Sequence, residues 1–187
     1  MRLFSSARER RLWLWTLAVV AAIYSTLGLA GTMARTLREF GVLDASTWVL
    51  IAMFLVGMTI LTQGLQVRPG GVEIAVMLGV AAAYVLLVLR STASPAERTH
   101  LMEYGVVGVF IYEALVERVR QGQRVPLPPV IAVLVTAALG VVDEGIQWLL
   151  PDRVFDPVDM LFNLLAGGTS VGAVVALTWA RRRTSLR

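Results

Sequence analysis

The stretch Val130-Ile-Ala-Val-Leu-Val-Thr-Ala-Ala-Leu-Gly-Val-Val-Asp143-Glu144-Gly-Ile-Gln147-Trp-Leu-Leu150 decides the fold. Its apolar length matches the roughly 20 residues that a helix needs to cross a bilayer. Yet two adjacent carboxylates and an amide are set into it. At about 100° per residue, Asp143, Glu144 and Gln147 share one helix face. At about 1.5 Å per residue, Asp143 lies roughly 12 Å inside the helix end marked by Pro151. An ionised carboxylate at such a depth costs on the order of 2.5–3.5 kcal/mol. The pair therefore has to be salt-bridged, protonated, cation-bound or open to water.

Outward from this run, similar apolar segments recur at Leu12–Thr32, Thr47–Val67, Val72–Leu89, Leu101–Leu115 and Val158–Ala180. The chain is 57% hydrophobic and only 16% charged, with mean hydropathy +0.71. This composition belongs to an integral membrane protein. The expectation is an all-α polytopic transmembrane bundle of about six helices, forming a single membrane domain over residues 1–187. The fourth segment is short, and Glu103, Glu113 and Glu117 interrupt or close it. Arg2, Arg8, Arg10 and Arg11 precede the first segment in the manner of a secretory signal. Its length and the lack of a convincing cleavage site after Gly28, Ala30 and Gly31 favour a retained helix.

Arginine placement predicts the orientation. All 17 basic residues are arginine. With a cytoplasmic N-terminus, 12 lie inside and Arg35, Arg38, Arg90, Arg98 and Arg153 make the 5 outside. Positive-inside bias thus favours two cytoplasmic termini and a multi-pass chain in the cell membrane. The loops Ala34–Ser46, Ser91–Thr99 and Pro151–Pro157 then face outward. The same bias accounts for the net charge of +4, so no nucleic-acid partner is expected. Cysteine is absent, which excludes disulfides and thiolate metal sites.

Polar residues concentrate in the second half. The first ninety or so residues supply scaffold or contacts to lipid and partners. His100, Glu103 and Tyr104 stand at i, i+3 and i+4, so they share a face near the outer end of the fourth helix. They either converge on a site or sit at the headgroup level. Asp156 before Pro157 suits an N-cap, and Asp159 can complete a capping box. Asp156, Asp159 and Asn163 also form one stripe at i, i+3 and i+7, which Gly167 and Ser170 continue inward. Capping does not need Asn163. An amide two turns inside a membrane helix is expected to hydrogen-bond a neighbour. Gly167, Gly168, Ser170 and Gly172 would allow close approach of the last helix to the fifth, its stripe facing Glu144 and Gln147.

Together, Glu97-Arg-Thr-His100-Leu-Met-Glu103-Tyr104, Asp143-Glu144-x-x-Gln147 and Arg153-x-x-Asp156-x-x-Asp159-x-x-x-Asn163 resemble the VanZ-like family of bacterial membrane proteins. The resemblance covers roughly residues 97–172, and residues 1–90 carry no family motif. The family's namesake is linked to resistance to the glycopeptide teicoplanin, so the resemblance implies a function at the cell envelope. It marks His100, Glu103, Tyr104, Asp143, Glu144, Gln147, Arg153, Asp156, Asp159 and Asn163 as site positions.

Three readings of these residues stay open. In the first, an outward-facing acidic pocket toward the extracytoplasmic side binds or modifies a membrane lipid, a lipid-linked cell-wall precursor or a glycopeptide. Asp143, Glu144, His100 and Asp159 are the catalytic candidates, with Glu103, Tyr104, Gln147, Arg153, Asp156 and Asn163 binding substrate. His100, Glu144 and Asp159 are candidate ligands for a divalent metal, Mg²⁺ or Ca²⁺ by their oxygens, Zn²⁺ or Mn²⁺ with the imidazole. Alternatively, the paired carboxylates act as acid and base, with Arg153 gripping a phosphate or carboxylate. In the second, Asp143 and Glu144 serve a proton- or cation-coupled transporter or flippase. In the third, the polar residues only fix helix packing in a structural or partner-binding membrane protein.

Overall fold

Proline and glycine set the helix boundaries. Proline at the first helical positions costs no hydrogen bond, because those amides have no partner within the helix. Three helices begin this way: α2 (Pro95–Arg120), α3 (Pro128–Trp148) and α4 (Pro157–Thr184), which follow α1 (Ala7–Glu39). The computed structural model describes residues 3–39, 79, 95–150 and 157–184. Within the helices, the side chains of residues 26, 28–39, 95–101 and 184 fall outside that description. Among the described residues, the regular structure is all helical, with no strand. Of the six expected spans, Thr47–Val67 and, apart from Gly79, Val72–Leu89 lie outside them.

Gly122 ends α2. Its φ of 82° is left-handed, and its N–H reaches Val119 O at 2.9 Å while Gln123 N reaches Arg118 O at 3.1 Å. That is the paired bonding of a Schellman cap, which satisfies the last carbonyls. After a short turn, Pro128 starts α3 behind Leu127, which adopts a left-handed φ of 40°. α3 closes with tightened bonds from Leu149 N to Ile146 O and Leu150 N to Gln147 O, both 3.0 Å.

Two expected boundaries are corrected. α1 continues to Glu39, through the start of the loop expected at Ala34–Ser46. No proline or glycine occurs between Gly31 and Gly41, and a helix does not stop where its hydrophobicity does. α2 is likewise a helix of 26 residues, and Glu103, Glu113 and Glu117 do not interrupt it. Glu113 and Glu117 meet the start of α1, where Arg8 bonds Glu113 at 3.0 Å and approaches Glu117 at 3.7 Å.

The chain divides into two compact units, residues 1–31 with 100–172 and residues 32–99 with 173–187. In the first, α1 and α2 run antiparallel. Arg118 Nε lies 2.7 Å from the buried Glu9 carboxylate, Ser6 Oγ donates to Glu117 at 3.0 Å, and Arg118 also caps Leu3 O at 2.7 Å. Burial works to raise the Glu9 pKa, but hydrogen bonds from Ser5, the Arg118 charge and Trp13 outweigh it and leave the carboxyl below its usual 4.5. Glu117 is lowered as well, through hydrogen bonds from Gln121 and Ser6 and the charges of Arg8 and Arg120. Above this clasp, Val107, Ile111 and Ala114 of α2 are fully buried, at the spacing of one helix face.

Glycines let α2, α3 and α4 meet closely. A Cβ on Gly140 of α3 would stand 2.7 Å from Asn163 Cβ of α4, and one on Gly167 of α4 would stand 2.9 Å from Thr136 Cγ2 of α3. α3 and α4 are therefore antiparallel, with Thr136 level with Gly167 and Gly140 level with Asn163. α2 crosses α4 where a Cβ on Gly108 would lie 3.2 Å from Gly167 Cα and one on Gly105 2.6 Å from Ser170 Oγ. Gly168 and Gly172, also expected at a close approach, have open space where a Cβ would go. Gly168 lies one position, and Gly172 two positions, off the stripe that runs through 163, 167 and 170.

In the second unit, α4 carries the buried Ala173, Leu177 and Ala180. The Arg183 guanidinium stacks 4.2 Å above the Trp179 ring. Among the described residues, two helices, Pro128–Trp148 and Pro157–Arg183, are long and apolar enough to cross a membrane.

Candidate functional site

The polar face of α3 is the centre of the first unit. Its apolar residues Leu134, Val135, Val141 and Val142 are exposed on the opposite side, so the helix turns its polar groups inward. Asp143 is 0% exposed, Glu144 1% and Asn163, across the interface on α4, also 1%. Gln147, one turn beyond Asp143, is buried too and donates from Nε2 to Glu144 Oε1 at 3.2 Å.

The helical wheel divides this face into two flanks. Leu139 and Asp143 stand on one, Gly140 and Glu144 on the other, and Thr136 and Gln147 between them. The first flank meets α1 and α2. Tyr24 Oη donates to the Leu139 carbonyl at 2.8 Å and Tyr104 Oη to the same oxygen at 3.3 Å. The second flank meets α4, where Asn163 presses against Gly140.

Asn163 departs from expectation. Among the described residues, neither Oδ1 nor Nδ2 of its buried amide has a hydrogen-bond partner, and the buried Ser170 Oγ has none. The close packing against Gly140 fixes the position of the side chain without satisfying it. A buried polar group left this way costs about 1–3 kcal/mol.

The structure thus gathers Tyr104, Asp143, Glu144, Gln147 and Asn163 into one unit. Glu103 and Asp159 are half-buried on α2 and α4 of the same unit. The side chain of His100, and Arg153 and Asp156, lie outside the description. Pro157 does open α4, as the capping pattern at Asp156 predicts. Among the described residues, no group of three or more His, Cys, Asp or Glu side chains is arranged to hold a metal ion.

Sequence reasoning did not single out Tyr24, which brings α1 into the site. Its signal was a lone phenol in an apolar run, with nothing nearby in sequence to give it a partner. Gly105, Gly108 and Gly140 also went unremarked, although small residues beside buried polar ones are the mark of close helix contact in an apolar chain.

Compared with protein-family models, with characterised proteins and with solved structures, the chain has no match.

Proposed function

We propose that the chain is a polytopic membrane protein of VanZ-like type, whose acidic pocket binds or modifies the polar part of a cell-envelope lipid or lipid-linked cell-wall precursor. One observation carries this reading. Asp143, Glu144 and Asn163 are each at most 1% exposed, within helices whose outer faces are apolar. Packing alone is a poor reason for two adjacent buried carboxylates, since apolar residues of similar volume stabilise such a site equally well or better. Polar groups inside membrane helices mark ligand or ion paths by default.

Two further observations support the membrane setting. α3 and α4 have the length and composition of spans. Arg8 and Arg118 are joined to acidic partners where α1 begins and α2 ends, and Arg124 lies in the following turn. Positive-inside bias makes this the cytoplasmic end. The acidic face, near the other end of α3, then lies toward the extracytoplasmic side. A role in teicoplanin resistance follows from the VanZ-like resemblance alone.

The test is the lipid that copurifies with the detergent-solubilised chain. Wild type is expected to enrich a polar envelope lipid or precursor over its share of the host membrane. The combined Asp143→Asn and Glu144→Gln variant is expected to lose that enrichment. A lipid profile identical to that of bulk membrane for the wild type contradicts the reading.

A further inference from the structure

We propose that the outward face of α1 binds an anionic phospholipid of the cytoplasmic leaflet, its phosphate held by Arg10 and Arg11 and its acyl chains lying along Leu14, Trp15 and Leu17. The inference needs the membrane setting above but not the acidic pocket, which draws on the other end of α3.

The inward face of α1 is committed to its own unit. Glu9, Thr16 and Ile23 recur every seven residues and are all buried, so they mark one stripe of the helix. Around Glu9 the polar groups meet in pairs. Arg118 lies 2.7 Å from the Glu9 carboxylate and Arg8 3.0 Å from Glu113, while Trp13 Nε1 donates to Glu9 at 3.4 Å.

The outward face is built differently. Arg10 and Arg11 stand about 100° and 200° around the helix from Glu9, and both are exposed. Leu14 and Trp15 follow them at i+4, on the same sides. Those two and Leu17 are each more than half exposed. Beyond them Ala18, Ala21, Ala22 and Ser25 are small and exposed, a shallow strip about 10 Å long at 1.5 Å per residue. Two cations, then an indole and leucines, then small side chains follow the layers of a leaflet from headgroup to tail. Arginine keeps its charge in water while its stem lies on apolar surface, and an indole sits at the headgroup level.

The charges present select the ligand. Two successive guanidiniums offer forked donors that match phosphate oxygens. They repel the ammonium of a zwitterionic headgroup and favour one whose net charge is negative, as in the cytoplasmic leaflet. A second copy packed on this face by two-fold symmetry would set the arginines of both chains against each other, a like-charge contact that opposes pairing. A lipid phosphate neutralises them instead.

The experiment is native mass spectrometry of the full chain in detergent, titrated with phosphatidylglycerol, phosphatidylethanolamine or phosphatidylcholine of identical acyl chains. Wild type is expected to retain phosphatidylglycerol over both zwitterionic lipids. Arg10→Gln together with Arg11→Gln should cut that retention about thirtyfold, about fivefold for each arginine at an anionic surface. Both side chains are exposed, so the variant keeps the clasp. As a control, Arg182→Gln with Arg183→Gln removes the same charge from exposed positions on α4 and should leave retention unchanged. Equal retention of the three lipids by wild type overturns the inference, and this comparison needs no variant to fold. An equal loss in both double variants marks general charge attraction, and a loss confined to the α4 variant puts the lipid there; either overturns it. So does a dimer that forms in place of the lipid adduct and is lost with Arg10 and Arg11, which makes a second copy the occupant. The acidic pocket is read separately, on Asp143 and Glu144, and stands or falls by its own test.

Discussion

At the residue scale, Asn163 and Gly140 show how one small side chain admits one polar side chain to a buried interface. A methyl added at Gly140 meets Asn163 Cβ at 2.7 Å, an atom close to the α4 backbone that cannot swing away. Gly140→Ala is expected to destabilise the chain despite a gain of about 1 kcal/mol in helix propensity, because overpacking costs about 1–3 kcal/mol. Gly172→Ala meets nothing within 4 Å and should be neutral or mildly stabilising. Thermal unfolding of both variants in detergent checks the pair. Equal melting temperatures for the two would show that α3 and α4 do not meet at Gly140. Hydrophobicity and helical spacing were enough to put Asp143, Glu144 and Gln147 on one face of α3 and Asn163 on a polar stripe of α4. They could not show that Asn163 goes unsatisfied, because that depends on which backbone lies opposite it.

At the element scale, the clasp between the start of α1 and the end of α2 holds the two helices in register. Burial, which would raise Glu9, is outweighed by its hydrogen bonds and Arg118, so its folded pKa lies below the unfolded value near 4.5. A carboxyl lowered in this way stabilises the fold above the unfolded pKa and loses that contribution as pH falls through the folded one. Glu117, lowered as well, acts in the same direction. The melting temperature is thus expected to hold from neutral pH down to about 5 and to fall below about 4.5. Arg118→Leu should lower the plateau and make the acid decline shallower. A melting temperature that rises on acidification would contradict the clasp. This pairing was hidden in the sequence, because Glu9 and Arg118 are over a hundred positions apart and each alone reads as a solvated helix-end charge. The same blindness gave α2 too short an extent, since Glu113 and Glu117 resemble an end until Arg8 is placed beside them.

At the scale of the whole molecule, the lopsided distribution of polar residues along the chain proved a partial guide. The buried acidic cluster does draw on residues of the second half, and Tyr24 of α1 packs onto it through a hydrogen bond to the Leu139 carbonyl. Local periodicity finds helices and their polar faces, whereas the partner of each face is a tertiary fact. The central claim is that the Asp143, Glu144 and Asn163 cluster is a ligand site and not a packing device. A structure of the full chain in nanodiscs made from bacterial membrane lipid tests it most directly. The account predicts ligand density between α3 and α4 within hydrogen-bonding reach of Glu144 and the Asn163 amide. A closed seam, with no such density and the Asn163 amide paired to Glu144 or Gln147, would contradict it.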